Sequence, residues 1–576
     1  MNLVKAINKY QSKIERIFLG IFLMLLLTKL AIIFFQNINT PPLTTDSWAY
    51  FIISKTMFSD FGFTNYIRQF QFISDYNISF PPLFPLLIRL SNSLVENGVY
   101  AGYLLNFCFA VLIGILLPKL TKIVTSSYLP GIFLLLILLT NYHFQTELLG
   151  ARSMILSLLL LIGLFFIFLQ KQLAQKHIAA IGLLAGLLTL NRFDFLLPCL
   201  LLGIILMIVS KVSKRTTFLI YTSVFVLVIS PWIWYSLSHF STWFVSDNSR
   251  SILLANKTFT LDYYPQLEKI PSLFTQPFYW FAYRVVFKGG FSLILFIKDV
   301  FYNPFVQQLL SAIGVLLVTI AYIKSWAGKI VIPKPSQLPI QRLSLLAPVF
   351  LFQLFSVGLT GFLDMRYTLF FLFYICLLLV GIVYALSNSL LKPKYLTVIS
   401  FVILTILIFQ QIIFVIPSDV LQIAKNPTHV NQSLLSPSAI YTDIESLVLN
   451  HGAEPVLLID TNEIENVSAP QFAGLTTIKT IETPSNLNDF VFVALLNNYQ
   501  VNFVYTTCQK WLETMDAYFV VNQTTIPNLF SLVTATKSAS IINLPFNSQR
   551  DELYYQCESS PSAKITQDTA IDPLVL

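Results

Sequence analysis

The sequence predicts a mainly α, polytopic membrane protein with about 11 transmembrane helices, a large first outer loop and a small C-terminal α/β soluble domain. Three observations predict it. Only 11% of the 576 residues are charged and 55% are hydrophobic, whereas soluble domains carry roughly 25% charged residues. Apolar stretches of membrane-crossing length recur along the chain. Lys and Arg gather in alternate connections between those stretches.

A helix needs about 20 apolar residues to cross the hydrocarbon layer. Such stretches fall near 17–36, 98–117, 128–146, 151–170, 178–193, 194–210, 217–236, 303–323, 343–361, 367–387 and 395–416. The first follows a basic start without a short apolar core and small-residue cleavage site, so it reads as an uncleaved helix. The fifth and sixth join at Asn191-Arg192-Phe193-Asp194 and read as a tight pair, and Pro231-Trp232 ends the seventh. The run 285–302 contains Gly289-Gly290 and Lys298 and reads as interfacial or re-entrant.

The basic residues set the orientation. With the N-terminus in the cytoplasm, the cytoplasmic pieces hold 17 bases, among them Lys5, Lys119, Lys171, Lys211, Arg342 and Lys392, against one acid, Glu15. A wrong helix count would invert every later loop and destroy that pattern. Two long loops, about 37–97 and about 237–302, then face outward, as does the tail from 418. The chain therefore divides into a transmembrane module, 1–417, and an extracytoplasmic domain, 418–576. The module has 30 Lys+Arg against 12 Asp+Glu, and the tail 6 against 16. The basic excess thus sits in short loops between apolar segments, which is not a nucleic-acid surface. Runs such as Pro455-Val456-Leu457-Leu458-Ile459 predict strands in the tail. Cys508 and Cys557 lie there and form a candidate disulfide outside the cytoplasm.

The first loop carries the clearest chemistry. It opens Thr45-Asp46-Ser47-Trp48-Ala49-Tyr50, and a helix-like stretch follows to about Phe58. Asp46 at a helix start has two uses: a structural cap, or a general base or ligand for a divalent metal held against a phosphate. Tyr50 lies one turn on and shares its face. The loop returns through Ser79-Phe80-Pro81-Pro82-Leu83, whose prolines stiffen it.

These motifs, in this order, resemble the GT-C superfamily of glycosyltransferases, in the branch of protein O-mannosyltransferases and aminoarabinose transferases. Asp46-Ser47-Trp48-Ala49-Tyr50 matches the outer Asp motif and Phe80-Pro81-Pro82-Leu83 the later Pro-Pro-Leu segment, with echoes at Asn191-Arg192-Phe193-Asp194, Pro231-Trp232 and Arg366-Tyr367. The resemblance covers roughly 15–390. Two features depart from it: no second acid stands beside Asp46, and no His precedes Pro81. The resemblance implies inverting transfer of a hexosyl or pentosyl group from a polyprenyl-phosphate-linked donor to a hydroxyl of a lipid, glycan or protein acceptor. It implies Asp46 as the catalytic base and a bacterial plasma membrane as the location. A divalent metal, Mg or Mn, is the candidate cofactor, with Asp46 its candidate ligand.

Charged side chains at membrane depth cost about 2.5–3.5 kcal/mol each on insertion scales, so they point to sites. Glu147, Arg152, Arg192, Asp194, Asp364 and Arg366 all fall at outer ends of predicted spans. Arg192 and Arg366 are the candidates for the donor phosphate, because a guanidinium grips phosphate in bidentate fashion. Glu147, Asp194 and Tyr50 are candidates for acceptor or metal. The plainer alternative pairs Arg192 with Asp194 and Asp364 with Arg366. A lipid or polysaccharide transporter would instead place charge at the bilayer midplane in pseudo-symmetric halves. A polysaccharide ligase of another family would carry its key residues in a late outer loop. No Gly-rich phosphate loop, zinc spacing or nucleophile elbow is present in the sequence.

Overall fold

The structure, a computed structural model, describes residues that fall within 17–32, 47–58, 66–67, 80–95, 98–125, 127–240, 289–314, 338–359, 365–390, 456–459, 479–482, 501–506 and 509–535, with single positions at 447 and 496. Two compact units emerge. The first is Met1–Tyr50, Phe80–Ile252 and Gln276–Val430; the second is Phe51–Ser79, Leu253–Thr275 and Asn431–Leu576.

The first unit is helical. Its labelled helices are α1 (Leu83–Val95), α2 (Gly98–Thr125), α3 (Leu129–Thr140), α4 (Tyr142–Leu149), α5 (Met154–Phe168), α6 (Gln175–Asn191), α7 (Leu196–Val209), α8 (Lys214–Phe240), α9 (Phe291–Tyr302), α10 (Leu338–Ser344), α11 (Ala347–Leu359) and α12 (Thr368–Leu390). Among the described residues three helices are long and apolar enough to cross a membrane: Tyr100–Thr125, Lys214–Ser238 and Pro339–Gly358. Shorter apolar helices run over Leu19–Ile32, Met154–Phe168, Phe193–Val209 and Thr368–Tyr384. The predicted spans 303–323 and 395–416 lie wholly or largely outside the described residues.

Two local differences from the sequence reading have clear causes. The stretch 128–146 is two helices rather than one, because Asn141 ends α3 and its Oδ1 accepts the Phe144 N–H (3.0 Å), starting α4. Pro231 does not end its span; α8 runs through it to Phe240, as membrane helices tolerate when neighbours satisfy the freed carbonyl. Within 285–302, residues 291–302 form α9, which buries Ser292, Phe296 and Val300 and packs on α11 and α12.

Phenylalanine builds the core. Phe165 of α5 stacks on Phe373 of α12 (6.0 Å between centroids), and Phe350 of α11 stacks on Tyr374 (4.7 Å). Glycine sets the closest approaches. A β-carbon at Gly186 of α6 would lie 2.7 Å from Val228 of α8, and one at Gly131 of α3 would lie 2.4 Å from the Pro118 backbone. Gly182 and Gly186 are spaced as in small-residue helix interfaces of membranes, where close van der Waals packing replaces the hydrophobic drive. The outer faces are apolar and bare: Ile208, Leu227 and Trp234 are each at least 70% exposed, which only a hydrocarbon surrounding favours.

The second unit holds a six-stranded sheet, in the order β1-β3-β2-β4-β6-β5. Its strands are β1 (Tyr66–Ile67), β2 (Val456–Ile459), β3 (Lys479–Glu482), β4 (Phe503–Tyr505), β5 (Phe519–Gln523) and β6 (Leu529–Ala535), with α13 (Gln509–Tyr518) before β5. β1, β3, β2 and β4 are parallel; β6 runs antiparallel to β4, and β5 pairs antiparallel with β6. β1 comes from the first long loop, so this sheet is not built from the tail alone. Cys508 and Cys557, the candidate disulfide, lie outside the described residues.

Candidate functional site

Charged side chains from three connections meet at one end of α5. Glu147, on the last turn of α4, is 2% exposed, and its Oε1 accepts from Arg152 Nη1 at 2.6 Å. Arg366 Nη1 approaches the same oxygen at 3.7 Å. Arg366 belongs to a short 3-10 turn, Met365–Tyr367, that opens α12. One buried carboxylate thus serves two guanidiniums through one oxygen.

Arg192 and Asp194 lie at the α6–α7 junction, where a 3-10 turn, Phe193–Phe195, reverses the chain. Arg192 donates through Nε to Asp194 Oδ1 (3.0 Å) and through Nη2 to Oδ2 (3.5 Å). Gln353 of α11 donates to the same Oδ2 at 2.7 Å. The Arg192 guanidinium lies over the Tyr367 ring, 4.6 Å from its centroid, and Arg366 lies 5.6 Å from the same ring. Tyr367 therefore links the two arginine clusters. Beside them Thr368 donates to Asp299 of α9 at 2.9 Å.

The predicted site residues are thus placed as follows. Glu147, Arg192, Asp194 and Arg366 gather around α5 and α12. Tyr50 is buried, with its ring edge-on to Phe80 and Phe84 and its hydroxyl 2.8 Å from Ser153 Oγ. Ser47 donates to the carbonyl of Gly150. Asp46 and Asp364 lie outside the described residues; Asp46 is covalently next to Ser47. The Arg192–Asp194 pair follows the plainer sequence alternative, whereas Arg366 also reaches across to Glu147. Sequence reasoning missed Asn106, Ser153, Gln353 and Asp299. Amides such as Asn106 and Gln353 inside apolar runs were the available signal, since a buried amide must be bonded to be tolerated.

The donor set is a poor one for a metal at Glu147 or Asp194. Each carboxylate already faces guanidinium, and a divalent cation there would be repelled. Among the described residues no group of three His, Cys, Asp or Glu side chains is arranged to hold a metal. The metal expectation therefore rests on Asp46. The described ionised groups of the cluster are three arginines, 152, 192 and 366, and two carboxylates, 147 and 194.

These helices, with their bare apolar faces, define the class: an integral membrane protein, mainly α. No family model matches the chain, and no curated protein matches it. Among solved structures it is similar to ArnT from Cupriavidus metallidurans bound to undecaprenyl phosphate, with 12% identity, 90% of this chain and 98% of that chain covered, and a TM-score of 0.49. It is also similar to the oligosaccharyltransferase AglB from Archaeoglobus fulgidus in complex with an inhibitory peptide and a dolichol-phosphate, with 14% identity, 91% and 74% coverage and a TM-score of 0.47.

Proposed function

We propose that the protein is a membrane glycosyltransferase that moves a sugar from a polyprenyl-phosphate-linked donor to an acceptor hydroxyl at the extracytoplasmic face. The observation that carries this reading is the gathering of Arg152, Arg192 and Arg366 with Glu147 and Asp194 at one end of the bundle. A lipid-linked donor keeps its chain in hydrocarbon, so its phosphate must be met at the membrane boundary. Preorganised cations there stabilise the leaving phosphate in the transition state.

In this reading Arg366 takes the donor phosphate. Its 3.7 Å approach to Glu147 is longer than the Arg192–Asp194 contacts of 3.0 and 3.5 Å. Arg192 supports the site electrostatically. Asp46 accepts the proton of the acceptor hydroxyl as its oxygen bonds to the anomeric carbon. The bond from that carbon to the phosphate oxygen breaks on the opposite face, releasing polyprenyl phosphate and inverting the centre. Glu147 and Asp194 orient the arginines.

The test is transfer of radiolabelled sugar from a polyprenyl-phosphate donor in membranes containing the full chain. Asp46→Asn is expected to lower the rate by at least about a hundredfold. A variant that transfers at the wild-type rate removes Asp46 from the reaction.

A further inference from the structure

The connection from Gly150 to Ser153, between α4 and α5, is held more tightly than its length requires. Ala151 is fully buried at φ 48°, a left-handed conformation that a residue with a β-carbon adopts only when its surroundings impose it. Side-chain donors from three separate segments converge on this turn. Asn106 of α2 donates through Nδ2 to the carbonyls of Glu147 (3.2 Å) and Arg152 (3.1 Å). Asn191 of α6 donates through Nδ2 to the carbonyl of Ser153 (2.8 Å) and to Ser157 Oγ (2.6 Å). From the first long loop, Ser47 bonds the carbonyl of Gly150, and the Tyr50 hydroxyl bonds Ser153 Oγ. Asn106 and Asn191 are both fully buried, and it is their Nδ2 donors that are bonded, each twice, which offsets part of the cost of burying an amide.

The same turn carries Glu147 at one end and Arg152 at the other. A shift there moves the carboxylate that Arg366 shares and the residues on which Ser47 and Tyr50 rest. We infer that Asn106, Asn191 and Tyr50 are positioning residues, which lock the Gly150–Ser153 turn and so set the first loop against the Glu147–Arg152–Arg366 cluster. This rests on the glycosyltransferase reading for what is being positioned. None of the three touches the reacting atoms; each acts through the turn. Preorganisation of this kind matters because a displacement of about 1 Å at a reacting group costs about a hundredfold in rate.

Two measurements on the full chain in lipid nanodiscs test it. The first is amide hydrogen exchange of peptides covering 147–157; the second is the split between kcat and the donor KM. Asn191→Ala and Asn106→Ala are the direct variants. Tyr50→Phe keeps the ring against Phe80 and Phe84, removes only the hydroxyl, and decides the matter should either Asn variant fail to fold. The expected result is exchange in the turn faster by about tenfold, with kcat lower by about tenfold and donor KM within about twofold. Tyr50→Phe combined with Ser153→Ala is expected to lose no more than either alone, as for two ends of one bond. Wild-type exchange and wild-type kcat in Tyr50→Phe, or losses that add in the double variant, overturn the inference. A turn that loosens in a protein whose wild type transfers no sugar refutes the glycosyltransferase reading and supports the positioning device.

Discussion

At the scale of single residues, the site is a question of which charges share a partner. Glu147 binds Arg152 closely and Arg366 loosely through the same oxygen. Arg192 is bound twice by Asp194 and covers Tyr367. Arg366 is the guanidinium that the proposed function assigns to the donor phosphate. Arg366→Ala is expected to lower kcat/KM by about a hundredfold to a thousandfold, the usual loss when one oxyanion-stabilising donor is removed. Arg366→Lys should recover only part of it, since an ammonium keeps the charge and loses the planar fork. Transfer kinetics with a polyprenyl-phosphate sugar measure both, and equal activity of all three forms would show that no phosphate contact is made there. The candidate charges were legible in the sequence because ionised side chains in apolar runs are rare. The Arg192–Asp194 pairing was legible too; that of Glu147 with Arg366 was not, because they meet only after α4, α5 and α12 have packed.

At the scale of elements, glycine and asparagine decide how the helices meet and where they break. Gly182 and Gly186 bring α6 against α8, with Val228 in van der Waals reach of the backbone. Gly186→Leu is expected to cost about 2 kcal/mol or more, since overpacking forces backbone shifts. It should appear as lower thermal stability in detergent; unchanged stability would mean that α6 and α8 are not in close contact. Helix presence was readable from hydropathy for α2, α5, α8, α11 and α12. The break at Asn141 was not, because hydropathy averages over a window and a single capping side chain does not register in it. Pro231 misled in the other direction: proline ends helices in water, but in a bundle neighbouring groups satisfy the carbonyl it frees.

At the scale of the whole first unit, the two ends of α5 are chemically distinct. Its start adjoins Glu147 and Arg152; its end is tied to Arg342, which donates to the carbonyls of Phe168 (3.3 Å), Gln170 and Lys171 (3.2 Å). The 15 residues of α5 separate those ends by about 22 Å at 1.5 Å per residue. Arg342→Ala should therefore lower stability by about 2 kcal/mol, through loss of charge-assisted bonds to helix-terminal carbonyls, while leaving the donor KM unchanged. A stability scan beside a donor titration checks both halves, and a shifted KM would show that the two ends are coupled. The second unit has its own whole-molecule feature: β1, from the first long loop, completes the edge of a sheet whose other strands lie beyond residue 455.

The amino-acid sequence alone determined that lipid must surround much of this chain and that a handful of charges falls at the ends of its apolar stretches. Those are properties of composition, periodicity and local cost, and each is visible within a window of about 20 residues. Only the tertiary structure decided that Arg366 shares Glu147 with Arg152, that Asn106 and Asn191 clamp one strained turn, and that Tyr66–Ile67 joins the sheet of the tail. The reason is physical: a pairing between distant segments is set by close packing of whole faces, and no local stretch of sequence records which faces will meet.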